Sequence, residues 1–257
     1  MLIIPIIYII FNFFTPMHAH IPTLDPKIDT FAQLRNLNII SLHHQNIKLH
    51  LGCGENHING YINIDFPLSE HTIQTRSGAD VFADVTTLKF PPQSITEIRS
   101  HHFFEHFNRQ TAIALLSKWH EWLVIGGTLY IETPDFERCI EAFLHAPTLG
   151  EKQRIIRHIF GSHEAYWATH YDGWFQEKYE HFLTKMGFTN IRYAKNQYLD
   201  TYNITVIAQK TTHLNTVQLN QLAFSFLQEY CVNYSPSEQK IHGVWMKEYI
   251  STIDNAS

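Results

Sequence analysis

The chain has 257 residues, with 44% apolar and 14% aromatic side chains and a formal charge of −5. That length holds one large domain, or one of typical size with appendages, and the apolar content supplies a core, which excludes a disordered chain. The net negative charge offers no basic face for nucleic acid, although the 18 histidines would shift that balance near pH 6.

In chain order, residues 1–14 are almost wholly apolar, and Thr15-Pro16-Met17 breaks the run. The run is shorter than the roughly 20 residues that span a bilayer. It has no Lys or Arg, and Met17-His18-Ala19 is a poor small-x-small cleavage site. Residues 1–16 are read as a marginal signal or anchor, as an interfacial tail, or, the reading favoured here, as a stretch upstream of a start at Met17. Membrane contact is expected only through this segment. The expected location is cytoplasmic, or membrane-associated or exported if residues 1–16 are genuine.

Residues 17–46 read as an extension, with a short helix over 27–42 after Pro22 and Pro26. From residue 47 the pattern becomes regular. Strands are expected at 47–51, ending at Gly52; at 61–64, ending at Asp65; at 79–82, leading to Asp84; and at 95–100. A helix over 109–124 puts Ala112, Ile113, Leu115, Leu116, Trp119 and Leu123 on one apolar face. Gly126-Gly127 is expected to end it before a fifth strand at 128–131. A mostly helical stretch then runs to about residue 185. Strands at 191–193 and 202–208 are joined too closely for a parallel crossover, so they pair as an antiparallel hairpin. Beyond them, Leu219, Leu222, Phe226 and Tyr230 mark an amphipathic helix, and Pro236 starts another around 244–250. These helices would cap the sheet, mediate self-association or help form an acceptor pocket.

Strands alternating with helices predict an α/β, Rossmann-like fold. It is a seven-stranded, mostly parallel sheet with an antiparallel C-terminal hairpin, helices on both faces and a C-terminal helical extension. The expected units are 1–16, 17–46, a catalytic domain at 47–210, and 211–257. Ligands of such sheets bind outside the carboxyl ends of the strands, near the reversal of strand order. Cys53, Cys139 and Cys231 are odd in number and widely spaced, with no CxxC pair. This argues against a disulfide framework and a cysteine zinc site, and for a reducing compartment.

The sharpest segment is Leu49-His50-Leu51-Gly52-Cys53-Gly54-Glu55-Asn56, followed by Gly60-Tyr61-Ile62-Asn63-Ile64-Asp65. Glycines after a buried strand let the backbone approach a ligand at positive φ. A carboxylate at the tip of the neighbouring strand can accept hydrogen bonds from ribose hydroxyls. The plain alternative is a glycine turn beside a solvated Asp. Further motifs follow in order: Ala83-Asp84-Val85, His102-Phe103-Phe104-Glu105-His106, Glu132-Thr133-Pro134-Asp135-Phe136, Gly161, His170-Tyr171-Asp172-Gly173-Trp174 and Met186-Gly187-Phe188.

Together these segments resemble class I S-adenosylmethionine-dependent methyltransferases, and more closely a bacterial group with an LHLGCG…NID…HxxEH…PD pattern. The resemblance covers roughly 160 residues. It implies S-adenosyl-L-methionine as cofactor, held by Gly52, Cys53, Gly54, Asp65, Asp84, Val85 and His102. Asp65 would bind the ribose, and Asp84 the adenine amino group. It also implies methyl transfer to an O or N atom of a small-molecule or glycan acceptor, with His102, His106 and His170 as candidate catalytic groups. Two departures stand out. Asn56 replaces the third glycine of GxGxG, and the stretch from Gly54 to Gly60 leaves no room for a full crossover helix.

Competing readings are weaker. A nicotinamide dehydrogenase would need a small residue where His57 stands and an acidic residue further along than Asp65. HxxEH is also the pattern of inverted zinc proteases, which need it on a helix with a third ligand. Here it follows an apolar strand, so cofactor-loop and packing roles are favoured over acceptor deprotonation, and both over a metal. No metal is assigned. A catalytically degenerate nucleoside-binding or scaffold protein of the same fold is the main alternative, and a metal hydrolase the less favoured one. His170, Asp172 and Trp174 are expected on one loop, either covering the acceptor or as a histidine-rich surface packed by its aromatics. His18, His43, His44 and His71 are expected at the surface.

Overall fold

The structure, a computed structural model, describes residues 21–41 and 46–254. The apolar segment 1–16, the start proposed at Met17, and His18, His43 and His44 lie outside the described residues. Seven strands form one sheet: β1 (Ile47–Leu51), β2 (Ile62–Asp65), β3 (Val81–Phe82), β4 (Ile95–His101), β5 (Leu123–Pro134), β6 (Phe188–Tyr198) and β7 (Thr201–Lys210). Their order is β3-β2-β1-β4-β5-β7-β6. The first five are parallel, and β7 runs antiparallel to both β5 and β6. This is the expected Rossmann-like sheet with its terminal hairpin, and strand order reverses between β1 and β4.

The register sorts the two faces. Leu49 lies beside Ile62 and Ile98, Ile98 beside Leu129, and Leu129 beside Ala208, so one face is continuously apolar. Against it pack α2 (Arg109–Trp122) and α5 (Gln176–Lys185), whose Trp119, Tyr179 and Phe182 join the same buried cluster. The alternate residues give the opposite row: Asn63, His50, Arg99 and Tyr130. Pleating alone produces this division.

Among the described residues no α-helix lies between β1 and β4; α1 (Thr30–Asn36) precedes them. The parallel return from β1 to β2 is a loop, and Asn63 takes the place of the missing helix as its anchor. The Asn63 amide nitrogen donates to Ile58 O at 3.1 Å and Tyr61 O at 3.2 Å, and its oxygen accepts from Ile58 N at 2.9 Å. His50 Nδ1 lies 3.0 Å from that same oxygen. One buried amide therefore satisfies three backbone groups of this loop, at Ile58 and Tyr61.

Several boundaries differ from the sequence expectation: β5 and β6 run well beyond 128–131 and 191–193, and two helices end elsewhere than expected. α1 is shorter than 27–42, because Asp29 caps its start at Ala32 N and Asn38 turns left-handed (φ +58°) after it. α2 stops at Trp122, before Gly126-Gly127, because Leu123 is already extended and opens β5. The buried Lys210 ends the helix instead, donating to His120 O at 2.6 Å and Leu123 O at 2.7 Å. α3 (Phe136–His145) and α4 (Leu149–Phe160) follow the carboxyl end of β5. α6 (Thr216–Gln228) and α7 (Pro236–Asp254) pack on α2, and their Leu219, Phe226 and Tyr249 belong to the same core as the sheet. No helix among the described residues is long and apolar enough to cross a membrane.

Candidate active site

At the carboxyl ends of β1, β2 and β4, where strand order reverses, lies a cavity of about 560 Å³. That size is within the 300–1,000 Å³ of small-molecule sites. Gly52, Cys53, Gly54, Asp65, Asp84 and His102 all line it. Gly52 (φ +66°) admits no side chain, since a Cβ would come within 2.2 Å of the Phe103 ring. Gly54 (φ +56°) turns the loop so that its N–H donates to Asp65 Oδ2, while Asp65 Oδ1 accepts from Phe66 N at 2.7 Å. The strand-end carboxylate thus locks the glycine loop and borders the cavity.

Beside it stands His71, expected at the surface but buried here, with Nε2 3.6 Å from Asp65 Oδ1. Neither ring nitrogen has a hydrogen-bond partner. Trp167 packs edge-on against the His71 ring at 5.1 Å and donates its indole N–H to Glu70 O. Asp84 accepts from Thr86 N and Thr86 Oγ1 through one oxygen, and both residues face the cavity. Val85 does not line it; its side chain is buried in the core. Burial, together with the charges of Asp65 and Asp80, pushes the Cys53 thiol up, so Cys53 stays protonated.

The HxxEH segment is a 3-10 turn (Phe104–His106) after β4, not the long helix a protease requires. His102 sits left-handed (φ +47°) between two carboxylates, with Nδ1 3.2 Å from Glu105 and Nε2 3.5 Å from Glu132. Burial opposes its charge, but the bonds to Glu105 and Glu132 outweigh it and raise the His102 pKa to about 10. The hydrogen bond from His102 in turn holds Glu132 down at about 2. His102 is therefore a fixed cation at neutral pH rather than a free base.

His106 lies close to Glu105, on the other side from His102 in sequence, with one ligand atom of each within 4.8 Å. It borders both the first cavity and a second, of about 900 Å³, which Arg154, Arg157, His158 and His170 also line. Of these two cavities His170 borders the second, and its ring meets His106 edge-on at 4.8 Å. Burial pushes His170 down to about 4, so its imidazole is neutral. The expected cluster of His170, Asp172 and Trp174 is divided. Trp174 is in the core, stacked on Tyr179 at 4.9 Å, and Asp172 accepts from the buried Lys178 at 2.8 Å.

Sequence reasoning missed Phe66, His71, Trp167 and Tyr171 as cavity residues. Phe66 was within reach, since it directly follows Asp65. Trp167 arrives from a distant loop, and nothing in its local pattern marks it; Tyr171 stands inside the His170–Trp174 motif but is not itself named there as a site residue.

No family model matches the chain, and no curated protein matches it. Among solved structures it is similar to the CurJ carbon methyltransferase, at 14% identity over 70% of this chain and 52% of that one, with a TM-score of 0.43. It is similar to the apo S-adenosylmethionine-dependent methyltransferase SibL, at 15% identity over 71% of this chain and 56% of that one, with a TM-score of 0.43. A SAM-dependent methyltransferase from Methanosarcina mazei overlays at 16% identity over 72% of this chain and 99% of that one, with a TM-score of 0.40. The chain thus spans little more than half the length of the first two. At these identities and scores none of the three assigns an activity.

Proposed function

We propose that the chain is an S-adenosylmethionine-dependent methyltransferase acting on an O or N atom of a small-molecule or glycan acceptor. One observation carries this reading: the strand order places a glycine loop, locked by the carboxylate of Asp65, at the mouth of a cavity at the switch point. The residues fit the cofactor. Gly54 leaves its side of the cavity clear, with only Gln74 Nε2 within 4 Å of a hypothetical Cβ. His71, whose Nε2 lies 3.6 Å from Asp65 Oδ1, lines the same cavity beside the carboxylate that would meet the ribose.

When bound, the cofactor supplies a methyl group on a sulfonium, which is already a good leaving group. The protein's part is alignment, worth roughly 7–11 kcal/mol. Gly52 to Gly54 would hold the methionine portion, Asp65 the ribose and Asp84 the adenine amino group. The His102 cation fixes the turn that carries His106, and His106 and His170 face the acceptor side. A base there adds about 10²–10⁴-fold for a hydroxyl acceptor. Titration calorimetry with S-adenosylhomocysteine tests the reading. Stoichiometric binding, followed by transfer of labelled methyl from S-adenosylmethionine to a small-molecule or glycan fraction, is expected. No binding at millimolar ligand to folded protein would overturn it.

A further inference from the structure

Between the two cavities, Glu105, His106 and His170 each present one ligand atom, all within 4.8 Å of one another. We infer that these three residues form a binding site for a divalent transition ion of the zinc class.

The hydrogen bonds behind the three groups set their chemistry. His106 Nδ1 lies 3.3 Å from Thr169 O, and His170 Nδ1 lies 3.1 Å from His158 O. A backbone carbonyl only accepts, so each Nδ1 carries the ring proton and each Nε2 keeps its lone pair. Metal-bound histidines use this same arrangement, in which the outer nitrogen is tied to a carbonyl and the inner one is left free. Glu105 is 1% exposed, and its Oε2 has no hydrogen-bond partner. A buried carboxylate oxygen without a donor costs free energy unless something cationic meets it. Its other oxygen, Oε1, is bonded to His102 and lies 4.0 Å from His170 Nε2.

The backbone holds the two contributing segments together. Tyr171 N donates to Glu105 O at 3.0 Å, which pins the His170 loop to the 3-10 turn. With Zn–N bonds of about 2.0–2.1 Å the donors must close to roughly 3.4 Å, a rotamer-scale movement. Two imidazoles and one carboxylate suit zinc or iron(II) better than magnesium or calcium. Three protein ligands also leave a coordination position open, as in catalytic rather than structural sites. The second cavity, which His106 and His170 both line, is where that position would take an acceptor oxygen. Only this last role rests on the methyltransferase reading; the site itself does not.

The test uses the full chain, stripped with a chelator and titrated with Zn²⁺ against a competing chromophoric chelator, with Co²⁺ absorption as a second readout. One equivalent is expected to bind, and His170→Ala and His106→Ala are each expected to weaken it at least ~100-fold, more than loss of an outer partner does. His145→Ala, far from the cluster on α3, is expected to change nothing. Thermal melts report whether each variant folds, and a zinc-dependent rise in the wild-type melting temperature stands independently of the variants. Absence of Zn²⁺ and Co²⁺ binding in the wild type would overturn the inference, as would affinity unchanged in both folded variants. S-adenosylhomocysteine binding, measured on the same samples, separates the two proposals. Its loss with zinc binding intact sinks the cofactor reading alone, and the reverse sinks the metal site alone.

Discussion

Replacing Asp65 with Asn separates the two roles of this carboxylate. In the folded chain its oxygens accept from Gly54 N and Phe66 N. An asparagine keeps one acceptor oxygen and turns its amide toward the other N–H. A hydrogen bond to a charged group is worth about 1.5–3 kcal/mol, so Asp65→Asn should destabilise the protein by about that much. Against the 5–15 kcal/mol typical of a folded protein, the variant stays folded. The same loss applied to ribose hydroxyls weakens S-adenosylhomocysteine binding by about 10- to 100-fold. The assay is a thermal melt with ligand at 100 times the wild-type Kd. Wild type gains about 2.7 kcal/mol, or roughly 5–10 °C for a chain of this size. With binding weakened about 30-fold the variant gains about 0.9 kcal/mol, roughly 2–4 °C. An Asp65→Asn protein that is folded and shows the full wild-type shift would refute the ribose assignment.

Gly52→Ala places a methyl within 2.2 Å of the Phe103 ring at a φ of +66°. Strain and overpacking together should cost about 2–4 kcal/mol, read as a lower urea midpoint. Lys210 is fully buried, and desolvation lowers its pKa to about 8 from 10.5. The unfolded chain therefore holds this proton through a pH range where the folded one has released it. Stability from this group rises by about 2 kcal/mol between pH 7 and pH 9.5. Lys210→Met should lack that rise; equal pH slopes in urea unfolding would count against it. Truncation after residue 210 removes Leu219, Phe226 and Tyr249 from the core shared with α2. Loss of three large buried side chains, at about 3–5 kcal/mol for each aromatic, should leave the truncated chain unfolded by circular dichroism. A cooperative melt would show that α6 and α7 are dispensable.

Local strand pattern found a segment of each of the seven strands, because a strand's side-chain period is a local property, although the glycines misplaced the start of β5. Gly52 and Gly54 follow β1, Asp65 ends β2 and Asp84 lies just beyond β3, so their position beside the cavity is a local consequence of where those strands end, whereas the roles expected of them came from the resemblance. The antiparallel pairing of β6 with β7 followed from a connection too short to cross the sheet. Local pattern failed where the deciding partner was remote. The end of α2 is set by Lys210, nearly 90 residues further along, so Gly126-Gly127 gave a false signal. His71 looks like a surface histidine until Trp167 closes over it. His102 looks like a base until Glu132, from the next strand, joins Glu105 and holds it as a cation. Glu105, His106 and His170 meet across more than 60 residues of chain, where Tyr171 N donates to Glu105 O and His106 reaches Thr169 O. Protonation and ligation depend on which groups lie within a few ångströms, and only the tertiary structure decides that.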